Sequence, residues 1–307
     1  MSIPVSASTP SRILLSGASG VIGSALEPAL QDAGWHVSKL VRAATTDSNT
    51  IFWDPEREQL DPSELDGYQA VIHLGGISLA RQRWSSSFKT ALRFSRIKST
   101  ALLSERLAAT HSPPKTLLCA SAVGYYGNRG DERLNEDSQP GSGFLADLCQ
   151  EWEAAADTAR GAGIRVVHLR LGVVLTPRGG MLAKLVPIFK CGLGAVLGDG
   201  RQFLSWISLH DLIRAMLYIL ETPNLSGPVN VVASQPVTNT EFTRILAAVL
   251  HRPAWLKTPA FVIKLLLGEL GREMLLTGQR AYPDRLLHAG FQFECPDLAG
   301  ALRRELY

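Results

Sequence analysis

The chain has 307 residues, enough to bury roughly three quarters of its unfolded surface and to hold one large α/β domain with a smaller companion. Its 31 Lys and Arg against 28 Asp and Glu leave a formal charge of +3, too small and too dispersed to argue for nucleic acid or an anionic membrane. Four scattered cysteines, Cys119, Cys149, Cys191 and Cys295, have neither disulfide-framework nor zinc-site spacing, which fits reduced thiols in a cytoplasmic protein.

Residues 1–11 are rich in Ser, Thr and Pro and lack the apolar centre of a secretory signal, so a disordered tail is expected there. Strand-like runs at Arg12–Ser16, His36–Val41, Ala70–Leu74, Thr116–Ser121 and Arg165–Leu171 then alternate with helical patterns at Ile22–Ala33, Trp84–Thr110 and Phe144–Ala162. Such alternation predicts an α/β fold with a doubly wound parallel sheet in the order 3-2-1-4-5-6, its ligands at the carboxyl ends of the strands. This core is expected to span residues 12–178.

Residues 179–238 carry Gly-rich joints, a helix at Asp211–Glu221 and a strand at Val229–Val232 that return to the core. Helices at Thr240–Leu250, Pro259–Leu276 and Leu298–Leu306 have no strands between them and predict a small, mostly helical lobe over 239–307, with a cleft between lobe and core. The most apolar run, Phe261–Leu267, is interrupted by Lys264 and falls far short of the ~20 residues of a membrane span, so no membrane is expected as a partner.

The segment Ser16-Gly17-Ala18-Ser19-Gly20-Val21-Ile22-Gly23 joins the first strand to the first helix. At that junction unpaired backbone N–H groups and the positive end of the helix dipole suit a dinucleotide pyrophosphate. Gly17 permits the tight turn, Gly20 lets backbone approach the phosphates and Gly23 lets the helix close on the strand, although the first Gly gap is one residue longer than in the common dehydrogenase fingerprint. The second strand ends in Arg42, with no carboxylate between Gly34 and Thr46. A guanidinium there suits the extra phosphate of NADP, where an NAD site would place an acid for the ribose hydroxyls. Gly75 and Gly76 follow the next strand where the cofactor backbone should pass, and His73 within it is read as a satisfied core histidine.

Together, the glycine turn, Arg42, His73-Leu74-Gly75-Gly76 and Ser121 resemble the extended short-chain dehydrogenase/reductase superfamily. Trp53-Asp54-Pro55, Trp84 with Lys89, Ser95-Arg96, Ser121 through Gly127, Phe144-Leu145-Ala146 with Trp152-Glu153, Phe203 through Ile207 and His210-Asp211-Leu212 narrow the likeness to its atypical "epimerase family protein" branch. Asn239-x-Glu241-Phe242 and Gly290-Phe291-Gln292-Phe293 add to it. The resemblance covers nearly the whole chain, including a C-terminal helical domain of unassigned function similar to residues 250–307. It implies a Rossmann-type core with NADP(H) contacts on Gly17, Ser19, Gly20, Val21, Ile22, Gly23, Arg42, Leu74, Gly75, Gly76 and Arg96, with Arg170 a further candidate. It also places a possible homodimer interface on the two long helices.

Active members of that superfamily pair a Tyr with a Lys one helical turn later, which lowers the Tyr from its free pKa of ~10, while a Ser polarises the substrate oxygen. Ser121 is present, but residues 143–163 hold neither Tyr nor Lys; Phe144, Leu145, Leu148 and Cys149 occupy those turns. Tyr125 and Tyr126 are the nearest substitutes, and Gly127-Asn128 breaks the helix that would pair Tyr125 with Arg129. The acidic loop Asp131 to Asp137 is read as solvated, Asp147 and Glu151 as candidates to face the cleft, Trp152 and Glu153 as packing and solvating, and Lys184 as the one lysine able to approach from the other lobe. Two readings stay open: an NADP-dependent oxidoreductase or epimerase acting on a small polar, sugar-like substrate, and a binding module that holds NADP(H) with little or no chemistry.

Overall fold

The computed structural model describes residues 11–43 and 45–307, so all but the last residue of the expected tail lies outside the described residues. Seven parallel strands form the central sheet: β1 (Arg12–Ser16), β2 (His36–Val41), β3 (Thr50–Phe52), β4 (Ala70–His73), β5 (Thr116–Ala122), β6 (Arg165–Leu171) and β7 (Gly227–Val231). Their order is β3-β2-β1-β4-β5-β6-β7, the doubly wound arrangement extended by one strand. The three-residue β3 takes the third position; it is too short to show as a periodic run in the sequence.

Alternation of side chains along each strand builds two cores. Ile13, Leu15, Ile72, Leu118 and Val167 pack on one face with Leu26 and Leu30 of helix α1 (Val21–Asp32). Leu14, Val71, Leu117 and Val166 face the other way, onto Leu103 and Leu107. Both faces are covered, which is why the strands read as nearly continuous apolar runs.

The expected helix over Trp84–Thr110 begins two residues later, because Ser85 caps it by accepting from Phe88 N. It runs as α2 (Ser86–Arg93), a single π-turn at Phe94–Lys98 and α3 (Ser99–Ala108). The expected helix Phe144–Ala162 is split into α4 (Phe144–Ala154) and α5 (Asp157–Gly161).

Beyond β6, α6 (Gly180–Lys190) packs with α8 (Asn239–Val249) and α11 (Leu298–Leu306) around a separate core that includes Leu182, Phe189, Trp206, Phe242 and Leu302. Between α6 and α8, α7 (Leu209–Glu221) returns to the main sheet beside α1. The C-terminal helices do meet short strands: Leu256–Thr258 pairs in parallel with Ala195–Leu197, and Arg280–Ala281 with Arg133–Leu134. Of the remaining helices, α9 (Ala260–Leu275) is broken at Gly268, and α10 (Asp284–His288) leads into the final loop. Buried Asp211 fixes that loop to α7 by accepting from the N–H groups of Glu294 and Cys295 at 3.0 and 2.8 Å.

Candidate functional site

Helix α1 begins after Gly20 with no side-chain cap and no acid in its first turn. Its leading N–H groups and the positive end of its dipole are thus offered to an anion. Gly17 has φ of 77°, a left-handed value that favours glycine, and a Cβ there would lie 2.9 Å from the Leu74 carbonyl. At Gly23 a Cβ would stand 2.2 Å from the Gly17 carbonyl oxygen, so α1 closes directly on the turn. Just before α6, Gly179 presses on Val21, where a Cβ would meet the side chain at 2.5 Å.

Sheet register sets the rest of the edge. Ser16 lies beside Leu40 on β2 and His73 on β4, so Arg42, Gly17 and Leu74 emerge at the same carboxyl end. Arg42 is exposed there. His73 is fully buried; its Nδ1 meets Ser16 Oγ at 2.5 Å and its Nε2 meets Ser99 Oγ at 3.4 Å. Burial pulls its pKa down to about 4, so the ring is neutral and structural.

Arg96 lies within the π-turn, a helix irregularity often found at functional sites, and its side chain is buried there. It is 8% exposed and packs against Gly76, whose Cβ would lie 3.3 Å from the guanidinium carbon. The guanidinium donates to the Ile77 carbonyl at 2.9 Å and lies 5.1 Å from the Trp152 ring. No described carboxylate pairs with it, and burial pulls its pKa down to about 10. A buried cation without a counter-charge is costly, so this position suits an anionic ligand. Gly17, Leu74, Gly75, Gly76 and Arg96 therefore form one continuous surface.

Arg170 belongs to a different group. In the sheet it aligns with Ser121 on β5 and Asn230 on β7. Its guanidinium forms a bidentate pair with Glu153, Nε to Oε1 at 2.8 Å and Nη2 to Oε2 at 2.9 Å, and also donates to Tyr126 Oη at 3.0 Å. Burial opposes its charge, but Glu153 and Tyr126 together outweigh burial and the net pKa is raised. With these partners and a Glu136 carbonyl at 3.4 Å, Arg170 is committed inside the protein and does not join the glycine turn.

Ser121 is 2% exposed, and its Oγ donates to Glu153 Oε1 at 2.7 Å. Tyr126 is fully buried and donates to Asn230 Oδ1 at 2.7 Å; burial pushes its pKa up to about 12, the wrong direction for a general base at neutral pH. Tyr125 is half-buried and stacks on Arg170, with the guanidinium carbon 3.5 Å from its ring centre. Tyr125 and Glu153 also line a cavity of about 360 Å³ together with Asp157, Arg160 and His168.

On α4, the turns that would hold the Tyr and Lys are occupied by apolar packing. The Phe144 ring sits 5.2 Å from Trp84 and 4.7 Å from the Lys89 ammonium, and Leu148 and Cys149 are buried. Asp147 is exposed and Glu151 pairs with Arg93. Lys184 on α6 donates to the Ala80 carbonyl, in the loop between β4 and α2, at 3.2 Å.

Two acids depart from the sequence reading. Glu153 is the shared partner of Ser121 and Arg170, although it was expected to be solvated. An Arg inside the apolar run Arg165–Leu171 demanded a buried acid, and that was the available signal. Glu136 is 4% exposed despite its acidic loop, accepting from the N–H groups of Asn230 and Arg285. Nothing in its local sequence distinguishes it from its exposed neighbours.

The NAD dependent epimerase/dehydratase family matches residues 13–233, and a domain of unknown function, DUF1731, matches residues 258–305. The epimerase family protein MT2273 of Mycobacterium tuberculosis is 47% identical over 290 residues, covering 94% of this chain and 96% of the relative. The crystal structure of the human epimerase family protein SDR39U1 (isoform 2) with NADPH is similar at 32% identity and a TM-score of 0.87, covering 96% of this chain and 98% of that one. A nucleoside-diphosphate sugar epimerase from Corynebacterium glutamicum is 35% identical with a TM-score of 0.81; the match covers 97% of this chain and 58% of that one. The chain belongs to the NAD dependent epimerase/dehydratase family.

Proposed function

We propose that this protein binds NADP(H) at the carboxyl edge of β1, β2 and β4 and acts as an oxidoreductase or epimerase-like enzyme on a small polar, sugar-nucleotide-like substrate. The observation that carries the cofactor assignment is Arg96, a buried guanidinium without a carboxylate, set beside Gly76 and the glycine turn. The NADPH in the similar human structure supports it. In this reading the α1 amides and Arg96 take the phosphates of the pyrophosphate, and Arg42 takes the 2′-phosphate.

When bound, the nicotinamide supplies or accepts a hydride. The accompanying proton is assigned to Ser121, whose hydroxyl already donates to Glu153. Glu153 in turn faces the polar cavity, giving a route to solvent that does not pass through the cleft. Arg170 and Tyr125 hold this carboxylate and its surroundings in place. Tyr126, closed off by Asn230, is left out of the chemistry.

One observation favours the second reading, a nucleotide-holding module: the α4 turns offer only Phe144, Leu148 and Cys149 where an acid–base pair would be. Turnover decides between the two. A panel of nucleotide sugars and small carbonyl compounds, followed by NADPH absorbance, is expected to reveal activity that falls at least a hundredfold in Ser121→Ala and Glu153→Gln. Turnover unchanged in both variants overturns this proton assignment, and tight nucleotide binding without turnover establishes the module.

A further inference from the structure

The whole-chain charge conceals a strong local imbalance. Segments 177–198 and 242–268 contain three and four cations respectively, and no carboxylate in either. The same segments supply seven of the eleven large apolar side chains left exposed among the described residues. Trp255 is 90% exposed, Leu265 74%, Phe261 69% and Leu266 62%.

These residues share one surface. Leu256 aligns with Ala195 in the short parallel pair, two residues beyond exposed Leu193. Arg252 Nε donates to the Lys190 carbonyl at 2.9 Å, drawing the end of α6 to the Trp255 loop. Pro259 then leads straight into α9, whose first turns present Phe261, Lys264 and Leu265 outward. Lys190, Arg252, Lys257 and Lys264, from the same segments, are exposed.

We propose that this face docks on an anionic lipid surface. Charge complementarity selects the occupant: a second copy would set like charges against each other, whereas anionic headgroups neutralise the cations while the apolar side chains enter the acyl boundary. The apolar groups protrude from a loop tip and a helix rather than lining a groove, and the cavity lined by Tyr125 and Glu153 lies elsewhere. The Lys264 stem beside Leu265 can lie along the acyl boundary while its ammonium group reaches the headgroups. No helix among the described residues is long and apolar enough to cross a membrane, so the contact is peripheral. The docking helix is braced on the core: Arg83 Nη2 donates to the Leu265 carbonyl at 3.4 Å, and Lys89 pairs with Glu269 at 2.6 Å.

Sedimentation of the full chain with vesicles tests this independently of any turnover. Phosphatidylcholine vesicles containing phosphatidylglycerol are expected to bind the protein at least tenfold more strongly than phosphatidylcholine alone, and about 0.5 M salt should release it. The variants Trp255→Ser with Leu265→Ser, and Lys257→Glu with Lys264→Glu, are each expected to lose at least tenfold in vesicle binding. Their melting temperatures should stay unchanged, since every altered side chain is exposed. Absence of binding to the anionic vesicles, equal binding to both compositions, or binding unaffected by either variant overturns the proposal. So does a wild-type dimer that ignores vesicles and is dissociated by Trp255→Ser, which would give this face to a second copy.

Discussion

Arg96 and Arg170 show how the same residue type is put to opposite uses by its neighbours. Arg170 has a bidentate carboxylate and a phenol; Arg96 has backbone carbonyls and an indole face. Replacing a buried unpaired cation by an apolar side chain of similar size relieves its desolvation cost. Arg96→Leu is therefore expected to hold or raise the melting temperature while weakening NADPH binding by about a hundredfold, the worth of a strong charge-assisted contact. Thermal melts and calorimetry on one preparation check both halves. Glu153→Gln goes the other way: it leaves the Arg170 guanidinium short of a charge partner and should cost about 3 kcal/mol, read from a denaturant midpoint. Of this group, the sequence showed an Arg within an apolar strand but not its acid, because a partner across a helix–strand contact is fixed by packing angle rather than by spacing.

At the scale of elements, the glycine turn was fully legible: three glycines between an apolar strand and an amphipathic helix leave few alternatives. Gly23 is its tightest point, so Gly23→Ala is expected to push α1 off the turn and abolish measurable nucleotide binding, with a stability loss of about 2 kcal/mol from overpacking. A calorimetric titration and a melt of that variant check the two effects. The long helix before β5 was legible as a helix but not as one with a π-turn, since an inserted residue leaves no mark in a pattern of apolar spacing. Buried Arg96 lies within that π-turn. The short strands of the C-terminal half, two or three residues each, were invisible for a similar reason: they are held by tertiary pairing rather than by propensity.

At the scale of the whole molecule, the strand order of the sheet followed from alternation together with the right-handed crossover rule, while the surface chemistry did not. A balanced charge summed over the chain hid two segments, 177–198 and 242–268, with cations and no acids. The interior also sets the response to pH. Burial pulls His73 and His168 down to about 4 from the ordinary value near 6.5. Between those values the unfolded chain takes up protons that the folded one refuses, so stability falls as pH falls through that window, by as much as ~3 kcal/mol for each ring. Urea midpoints at pH 7 and pH 5 should differ accordingly, and His73→Gln should flatten part of the difference.

The proposed function depends on a cleft shaped for a dinucleotide carrying a third phosphate. Calorimetric titration of the purified protein with NADPH and NADH, beside the Arg42→Asp variant, tests it most directly. One nucleotide per chain is expected, with NADPH held at least tenfold more tightly than NADH and that preference lost in the variant. No heat with either nucleotide, or a preference that survives the loss of Arg42, would contradict it.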